Sequence, residues 1–354
     1  MKQGISGMIA GAFIKSKLSI LLMVAFLLMG AFCIYLIPSE EEPQIEVPMA
    51  DIMVGYPGAS PKEIEHSISA PLEKIVSNIK GVEDVYSTSM DGMAMLTVQF
   101  YVGEDVERSL VKLYNELMKN MDRMPQGATM PLVKSRAIDD VPVLAFTLWS
   151  DSIGSFQLRQ LAEVVANEIK KVPDVAHIDV IGGNPREVSI RLDKDRMAAS
   201  KVDMNAIAQA LQGNNVQLQS GNIIKGNQTF STQVGNFFSN VDEIRNIIVG
   251  TNNNQPVYLH QVAQVEDGPK ETDNYLSFGY GAGHTEKQKA NPGEHLAVTI
   301  SIAKKKGADA MKLAKVITHK VEHLKKDLIT DNVQVEVTRN YGETAAHKVS
   351  ELLL

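Results

Sequence analysis

Cysteine and aromatic residues are scarce in this sequence. Among 354 residues there is one cysteine, Cys33, and one tryptophan, Trp149, and aromatic residues make up 6%. A single cysteine excludes a disulfide framework, so any part that meets an oxidising compartment must be held by its packed cores alone. Few rings leave no platform on which bases could stack, and no basic tract gathers on one face. With a net charge of -7, nucleic acid is excluded as a partner.

Against those absences stands one long run without charge, Leu18 to Ile37, in which only Ser19 and Tyr35 carry conspicuous polar atoms. About 20 residues rising about 1.5 Å each give about 30 Å, the thickness of a bilayer hydrocarbon core. The run is longer than a signal-peptide core and closes on Tyr35, Leu36, Ile37 and Pro38 rather than on a small-x-small cleavage site. Phe32 before Cys33 is too bulky for a lipoprotein cleavage site. The run therefore reads as an uncleaved transmembrane helix. Lys2, Lys15 and Lys17 precede it and Glu40, Glu41 and Glu42 follow, which places the N-terminus on the cytoplasmic side. Ile5 to Ile14, with Ile5, Met8, Ile9 and Ala12 at helical spacing, reads as a helix along the inner interface.

Beyond the run, the pattern repeats. Val47–Val54 reads as a strand, and Tyr56-Pro57-Gly58 forces a turn before Ser60-Pro61 opens a helix striped by Ile64, Ile68, Leu72, Ile75 and Ile79. Val82–Ser89 and Met93–Val102 read as strands around Asp91-Gly92. A second helix is striped by Val106, Leu110, Leu113, Leu117 and Met121, and Thr129–Lys134 closes the unit as a strand. The order β-α-β-β-α-β is that of a ferredoxin-like sandwich in an α+β protein. It recurs with strands at Pro142–Trp149, Val175–Ile181, Leu296–Ala303 and Val333–Thr338, a helix striped by Leu158, Leu161, Val165 and Ile169, and another by Met311, Ala314, Ile317, Val321, Leu324 and Leu328.

The second copy is interrupted. Pro185 to Gly268 is rich in Asn, Gln and Gly and reads as an inserted module with strands at Val188–Leu192 and Val257–Val265 and a helix striped by Met204, Ile207 and Leu211. Within it, Gly221–Phe238 alternates without a helical stripe and predicts a projecting two-stranded arm. The arm cannot bury Ile223, Ile224, Phe230, Phe237 and Phe238 on itself, so these are expected to contact a partner. The chain stops at Val349, Leu352, Leu353 and Leu354, inside a helical pattern without a stop signal. The divisions are 1–17 interfacial helix, 18–37 membrane helix, 38–133 first unit, 134–184 and 269–339 the halves of the second, 185–268 the insertion, and 340–354 the start of a further helix.

Strings that suggest chemistry are few. His319-Lys320-Val321-Glu322-His323 matches the H-x-x-E-H pattern of a zinc peptidase, but the helix is striped by Ile317, Val321, Leu324 and Leu328 and crowded by Lys312, Lys315, Lys320, Lys325 and Lys326. That suits a solvated face rather than a dry metal pocket. Met90, Met93 and Met95 could relay a soft metal, with core packing the blander reading. Gly279-Tyr280-Gly281-Ala282-Gly283 lacks dinucleotide spacing because His284 stands where a third glycine should be, so it reads as a flexible loop. Lys304 to Lys306 reads as a solvated strand end, Asn227-Gln228-Thr229 as a chance sequon, and Glu40 to Glu42 as a membrane exit. No catalytic residue, metal or cofactor is assigned.

One membrane span, then Pro38-Ser39-Glu40-Glu41-Glu42-Pro43, Tyr56-Pro57-Gly58-Ala59 and Ile79-Lys80-Gly81-Val82, then paired α/β units with an insertion, resembles the start of a resistance-nodulation-division (RND) efflux pump inner-membrane transporter subunit. The resemblance covers essentially the whole chain. It implies a proton-driven secondary transporter of small amphiphilic or toxic compounds, associated with multidrug resistance. It further implies a homotrimer in the complete protein, joined to a periplasmic adaptor (membrane fusion) protein and an outer-membrane channel. The chain would sit in the lipid bilayer of the bacterial inner membrane, its bulk periplasmic, with two porter units and a docking insertion whose arm enters a neighbouring protomer.

By the same resemblance Met53, Met95, Arg136 and Ile181 match positions facing the substrate route, where Arg136 would favour anionic or amphiphilic substrates. Pro142 and Ile181 stand where drug pumps of the family carry aromatics, which argues against an aromatic cage. The family's proton-coupling residues fall in later membrane helices, and the Leu18–Ile37 run offers no ionisable side chain except Tyr35. A single-span periplasmic binding or scaffold protein is the main rival reading, and a membrane-anchored zinc peptidase the second.

Overall fold

The computed structural model describes residues 11, 16–38, 47–136, 140–226 and 228–353. The acidic exit Glu40–Glu42, Asn227 of the sequon and most of the interfacial helix expected over Ile5–Ile14 lie outside the described residues. Helix α1 (Lys17–Leu36) takes up the uncharged run as 20 unbroken residues. All but one of its described large apolar side chains stand exposed, Leu21 at 67% and Leu27 at 69%, with Leu22 half-buried. The side chains described within it are those of residues 17 and 19–33. Among the described residues, no helix is long and apolar enough to cross a membrane.

The first unit follows from its two periodicities. β1 (Met49–Gly55) sends Ala50, Ile52 and Val54 to one face, where they are fully buried, and its other side chains to the opposite face. A helix crosses that buried face as α2 (Pro61–Ile64), a π-helical turn (Glu65–Ser69) and α3 (Ala70–Val76). Pro71 accounts for the π turn: it has no N–H to donate to Ser67, and its ring crowds that carbonyl, so the helix widens and Ala70 bonds Glu65 instead. Glu63 accepts both the Ser60 N–H and hydroxyl at the helix start, and these bonds hold its carboxyl below the usual range. β2 (Val82–Met90) and β3 (Met93–Phe100) form the hairpin, α4 (Val106–Lys119) is capped by Asp105, and β4 (Leu132–Arg136) ends the unit. The sheet order is β2-β3-β1-β4, with every pairing antiparallel. Both helices pack on one face, and Ile64, Ile68, Leu72, Leu96, Phe100 and Leu113 fill the core. Each such side chain contributes about 1.5–3 kcal/mol.

The Tyr56-Pro57-Gly58-Ala59 turn is clasped against the hairpin. Tyr56 N–H donates to the Gly92 carbonyl and Gly92 N–H to that of Ala59, while Gly58 takes φ +85°. A side chain at that φ would be strained, so the turn needs glycine there.

The second unit repeats the order with β5 (Pro142–Trp149), α5 (Ser155–Ile169), β6 (Val175–Ile181), β14 (His295–Lys304), α11 (Ala310–Asp327) and β15 (Gln334–Asn340). β5 and β14 are central, β15 is one edge, and β6 pairs with β14 on the other side. Leu144, Phe146 and Leu148 pack with Leu158, Val165, Ile169, Ile300 and Ile317. The outer edge is split by the insertion. β6 covers the later part of β14, and β13 (Ser277–Phe278) takes its place beside His295 and Leu296. The chain leaves that edge at Gly182 and Gly183 and returns through Lys270–Leu276. Asn184 fastens the two crossings: its Oδ1 accepts from Ser155 Oγ at 2.9 Å and its Nδ2 donates to the Lys270 carbonyl and Thr272 Oγ1.

The insertion has its own core of Ile207, Val249, Leu259, Val262 and Val265. β7 (Arg186–Leu192) pairs with β12 (Ala263–Pro269), and between them come α6 (Lys194–Ser200), α7 (Met204–Asn214), β8 (Leu218–Lys225), β9 (Gln228–Val234), α8 (Val241–Arg245), β10 (Ile248–Asn252), β11 (Gln255–Tyr258) and α9 (Leu259–Val262). The single strand expected over Val257–Val265 is instead β11, α9 and β12. Leu259 and Val262, three apart, both bury on one helical turn, which an extended strand would have pointed to opposite faces. α10 (Thr285–Ala290), α12 (Tyr341–Leu353) and two 3-10 turns, Met121–Arg123 and Ala282–His284, complete the described elements.

Candidate functional site

Because both helices of the first unit cover one face of its sheet, the opposite face is left uncovered. Met53 on β1 lies between Met95 on β3 and Leu132 on β4, and Met95 in turn faces Thr88 on β2. In the next row Asp51 lies between Thr97 and Lys134, with Tyr86 beyond Thr97. Leu132 is 55% and Tyr86 59% exposed, and Met90 and Met93 stand at the hairpin end of the same sheet. The result is an open patch of thioethers, a phenol and an aliphatic side chain, the kind of exposed apolar surface that marks a contact site.

This placement corrects the core-packing reading of the methionines. β3 sends Ala94, Leu96, Val98 and Phe100 inward, so strand alternation turns Met93 and Met95 to the uncovered side.

A charged pair interrupts the patch. Asp51 is 5% exposed, and its carboxylate accepts from Thr97 Oγ1 at 2.7 Å and from Arg136 Nε at 2.5 Å. Burial of an isolated carboxylate is costly, so these bonds keep Asp51 in place and hold Arg136 over the sheet while most of the guanidinium stays in solvent. Sequence reasoning missed Asp51. Its signal was there, an acid inside the otherwise uncharged strand Met49–Gly55.

Ile181 is not part of this cluster. It closes β6 on the second sheet, opposite Thr299, and is 51% exposed. The uncovered face of that sheet is polar at its centre, where Thr147 Oγ1 lies 2.8 Å from Thr299 Oγ1 and 3.0 Å from Thr338 Oγ1.

At the end of the second sheet four rings gather, those of Trp149, Phe278, Tyr280 and His295. Trp149 stacks on His295 with centroids 4.3 Å apart and lies near Phe278 and Tyr280. His295 is buried and its Nδ1 lies 2.6 Å from Asp151 Oδ1. Tyr280 donates to Glu336 at 2.8 Å, and Lys287 joins the same carboxylate at 2.9 Å. Burial, and then the Glu336 carboxylate, push the Tyr280 hydroxyl up to about 12. Burial would raise Glu336, but Lys287 and Tyr280 outweigh it and hold that carboxyl below its ordinary value. Gly279–Gly283 is thus not the loose loop expected: Tyr280 and Phe278 anchor it to Trp149.

The remaining candidates fall elsewhere. His319, Glu322 and His323 are all exposed on α11, and Lys320 reaches Glu168 at 3.7 Å, so the H-x-x-E-H string lies on a solvated face. In the arm, Ile223 is registered against Phe230 and Ile224 against Thr229. The side chains of Ile223, Ile224 and Phe230 lie outside the described residues. Phe237 is 60% exposed, whereas Phe238 packs against the core of the insertion.

Comparison with known proteins identifies the family. The family model described as AcrB/AcrD/AcrF family matches residues 9–352. Among curated relatives, the chain is 25% identical over 334 residues to "Multidrug resistance protein MdtC" of Proteus mirabilis, covering 94% of this chain and 31% of the relative. It is 27% identical over 256 residues to the protein of that name in Yersinia enterocolitica, covering 72% of this chain and 25% of the relative. The match to the Photorhabdus laumondii protein is again 25% over 334 residues. The chain therefore spans about a third of the length of these relatives. With two α/β units, an insertion through a split sheet edge and a family match over nearly the whole chain, this protein belongs to the AcrB/AcrD/AcrF family of RND efflux transporters.

Proposed function

We propose that this chain forms the N-terminal part of a proton-driven RND transporter that exports small amphiphilic compounds, and that it carries no catalytic step of its own. The family match over residues 9–352 is the observation that carries the reading. In it, α1 is the first membrane helix, with the N-terminus cytoplasmic and the bulk of the chain periplasmic in the bacterial inner membrane. The two units are ferredoxin-like porter subdomains, a view supported by the shared strand order of their sheets and by helices on one face only. The insertion is the docking subdomain, whose arm meets a neighbouring protomer of a homotrimer through Ile223, Ile224, Phe230 and Phe237, while Phe238, expected to join them, is taken up by the insertion's own core. An adaptor protein and an outer-membrane channel complete the export path.

Substrate would pass over the uncovered sheet faces. Met53 and Met95 offer soft apolar contact, Ile181 an aliphatic one, and Arg136 a cation that Asp51 steadies. Such a surface suits amphiphiles with an anionic or neutral polar end. The test is Arg136→Ala in the full-length transporter, with export of matched anionic and cationic amphiphiles followed in cells. Anion export should fall more than cation export; equal retention of both would remove Arg136 from the route.

A further inference from the structure

On the helical side of the first unit, away from the uncovered sheet, a cleft of about 540 Å³ lies between the α2–α3 helix and the end of α4. Its apolar floor is Ala70, Pro71 and Ile75, and its rim carries Lys74, Lys119, Arg123 and His66. One carboxylate, Glu116, faces them, and it is already engaged by Asn120 Nδ2 at 3.1 Å and Lys119 Nζ at 3.6 Å. Neither Lys74 nor Arg123 forms an ion pair among the described residues. The rim is cationic in a chain whose net charge is -7. Cations in the last turn of a helix offset its dipole, which accounts for the sign of these charges but leaves Lys74 and Arg123 without an ion-pair partner among the described residues. The π turn that Pro71 imposes carries His66 on the same rim, and such turns recur at functional sites.

From these features we infer that the cleft binds an amphiphilic phosphate-type oxyanion, its oxygens between Lys74 and Arg123 and its apolar stem along Ala70, Pro71 and Ile75. A volume of this order holds a small ligand, and forked guanidinium donors with an ammonium suit a phosphate. The site is separate from the proposed substrate face, which lies on the other side of the sheet.

The source of the phosphate, a soluble ester or a lipid head group, is decided by two titrations of the chain in detergent. Phenyl phosphate is followed in one and dioctanoyl phosphatidic acid in the other, with dioctanoyl phosphatidylcholine as the control lipid. Binding is expected in at least one titration. Lys74→Ala or Arg123→Ala should weaken it about tenfold each, the scale of one charge-assisted contact at an exposed rim, and Glu116→Gln should strengthen it. Both substitutions replace exposed side chains, and unchanged unfolding midpoints confirm that the variants remain folded. Binding of phenyl phosphate assigns a soluble ester; binding of phosphatidic acid alone assigns a head group. Absence of binding in both titrations, or binding indifferent to all three substitutions, overturns the inference.

Discussion

Replacing Gly183 by alanine tests how the insertion is joined to the second unit. Gly183 sits at φ +66°, where a β-carbon costs about 1–2 kcal/mol. That β-carbon would also lie 2.7 Å from Arg159 Cβ and 2.8 Å from the Ser155 carbonyl oxygen, both on the first turns of α5, and 2.9 Å from Val298 Cγ2. Neither a backbone oxygen nor a β-carbon can swing aside, so the joint itself must shift, at a further cost of about 1–3 kcal/mol. The sum is a loss of about 2–5 kcal/mol from the second unit. Gly307 provides the control. Its φ is +75° and a β-carbon there would meet nothing within 4 Å, so Gly307→Ala should show the backbone cost alone. The sole tryptophan, Trp149, is buried in the second sheet, so its fluorescence during denaturant unfolding reports on this unit. If the two variants unfold within about 0.5 kcal/mol of each other, the close approach at Gly183 carries no energy and the account of the joint is wrong.

Asn184→Ala should loosen the same junction by removing three hydrogen bonds, seen as faster hydrogen exchange in β13 and at Ser155, with the core of the insertion unaffected. Ile68→Ala, in the fully buried stripe of the first unit, should cost about 2–5 kcal/mol in thermal unfolding, whereas Met93→Ala on the uncovered face should cost far less. Asp267 is held below the usual carboxylate range by hydrogen bonds from Arg186, so its stabilisation is present above about pH 4 and is lost as pH falls. Exchange in the β7–β12 pair should therefore rise in acid, and Asp267→Asn should flatten that dependence. The Tyr280 hydroxyl is raised, so its contribution is complete below about pH 10 and is lost as pH climbs through about 12. Tyr280→Phe should remove this alkaline transition from the Trp149 signal.

Hydrophobic periodicity alone determined much of this protein. The stripes through Ile64, Ile68, Leu72 and Ile75, and through Leu158, Val165 and Ile169, are the buried faces of their helices, and the repeated strand order follows the alternation of the strands. These are local properties, fixed by a period of 3.6 or 2 along the chain. The family was legible for the same reason, since the turn Tyr56-Pro57-Gly58-Ala59 and the order of elements are both written in sequence. What periodicity could not decide was which face of each sheet stays uncovered, because that depends on where both helices pack. Alternation alone therefore lets Met93 and Met95 read as core, whereas Ala94, Leu96 and Val98 occupy the buried side. Nor could it pair Asp51 with Arg136, 85 residues apart, or bring Trp149, Phe278, Tyr280 and His295 together. Such contacts arise only when distant strands lie side by side, β1 beside β4 in the first unit and β5 beside β14 in the second, where a split edge strand returns the chain from its insertion, and no local propensity encodes that closure.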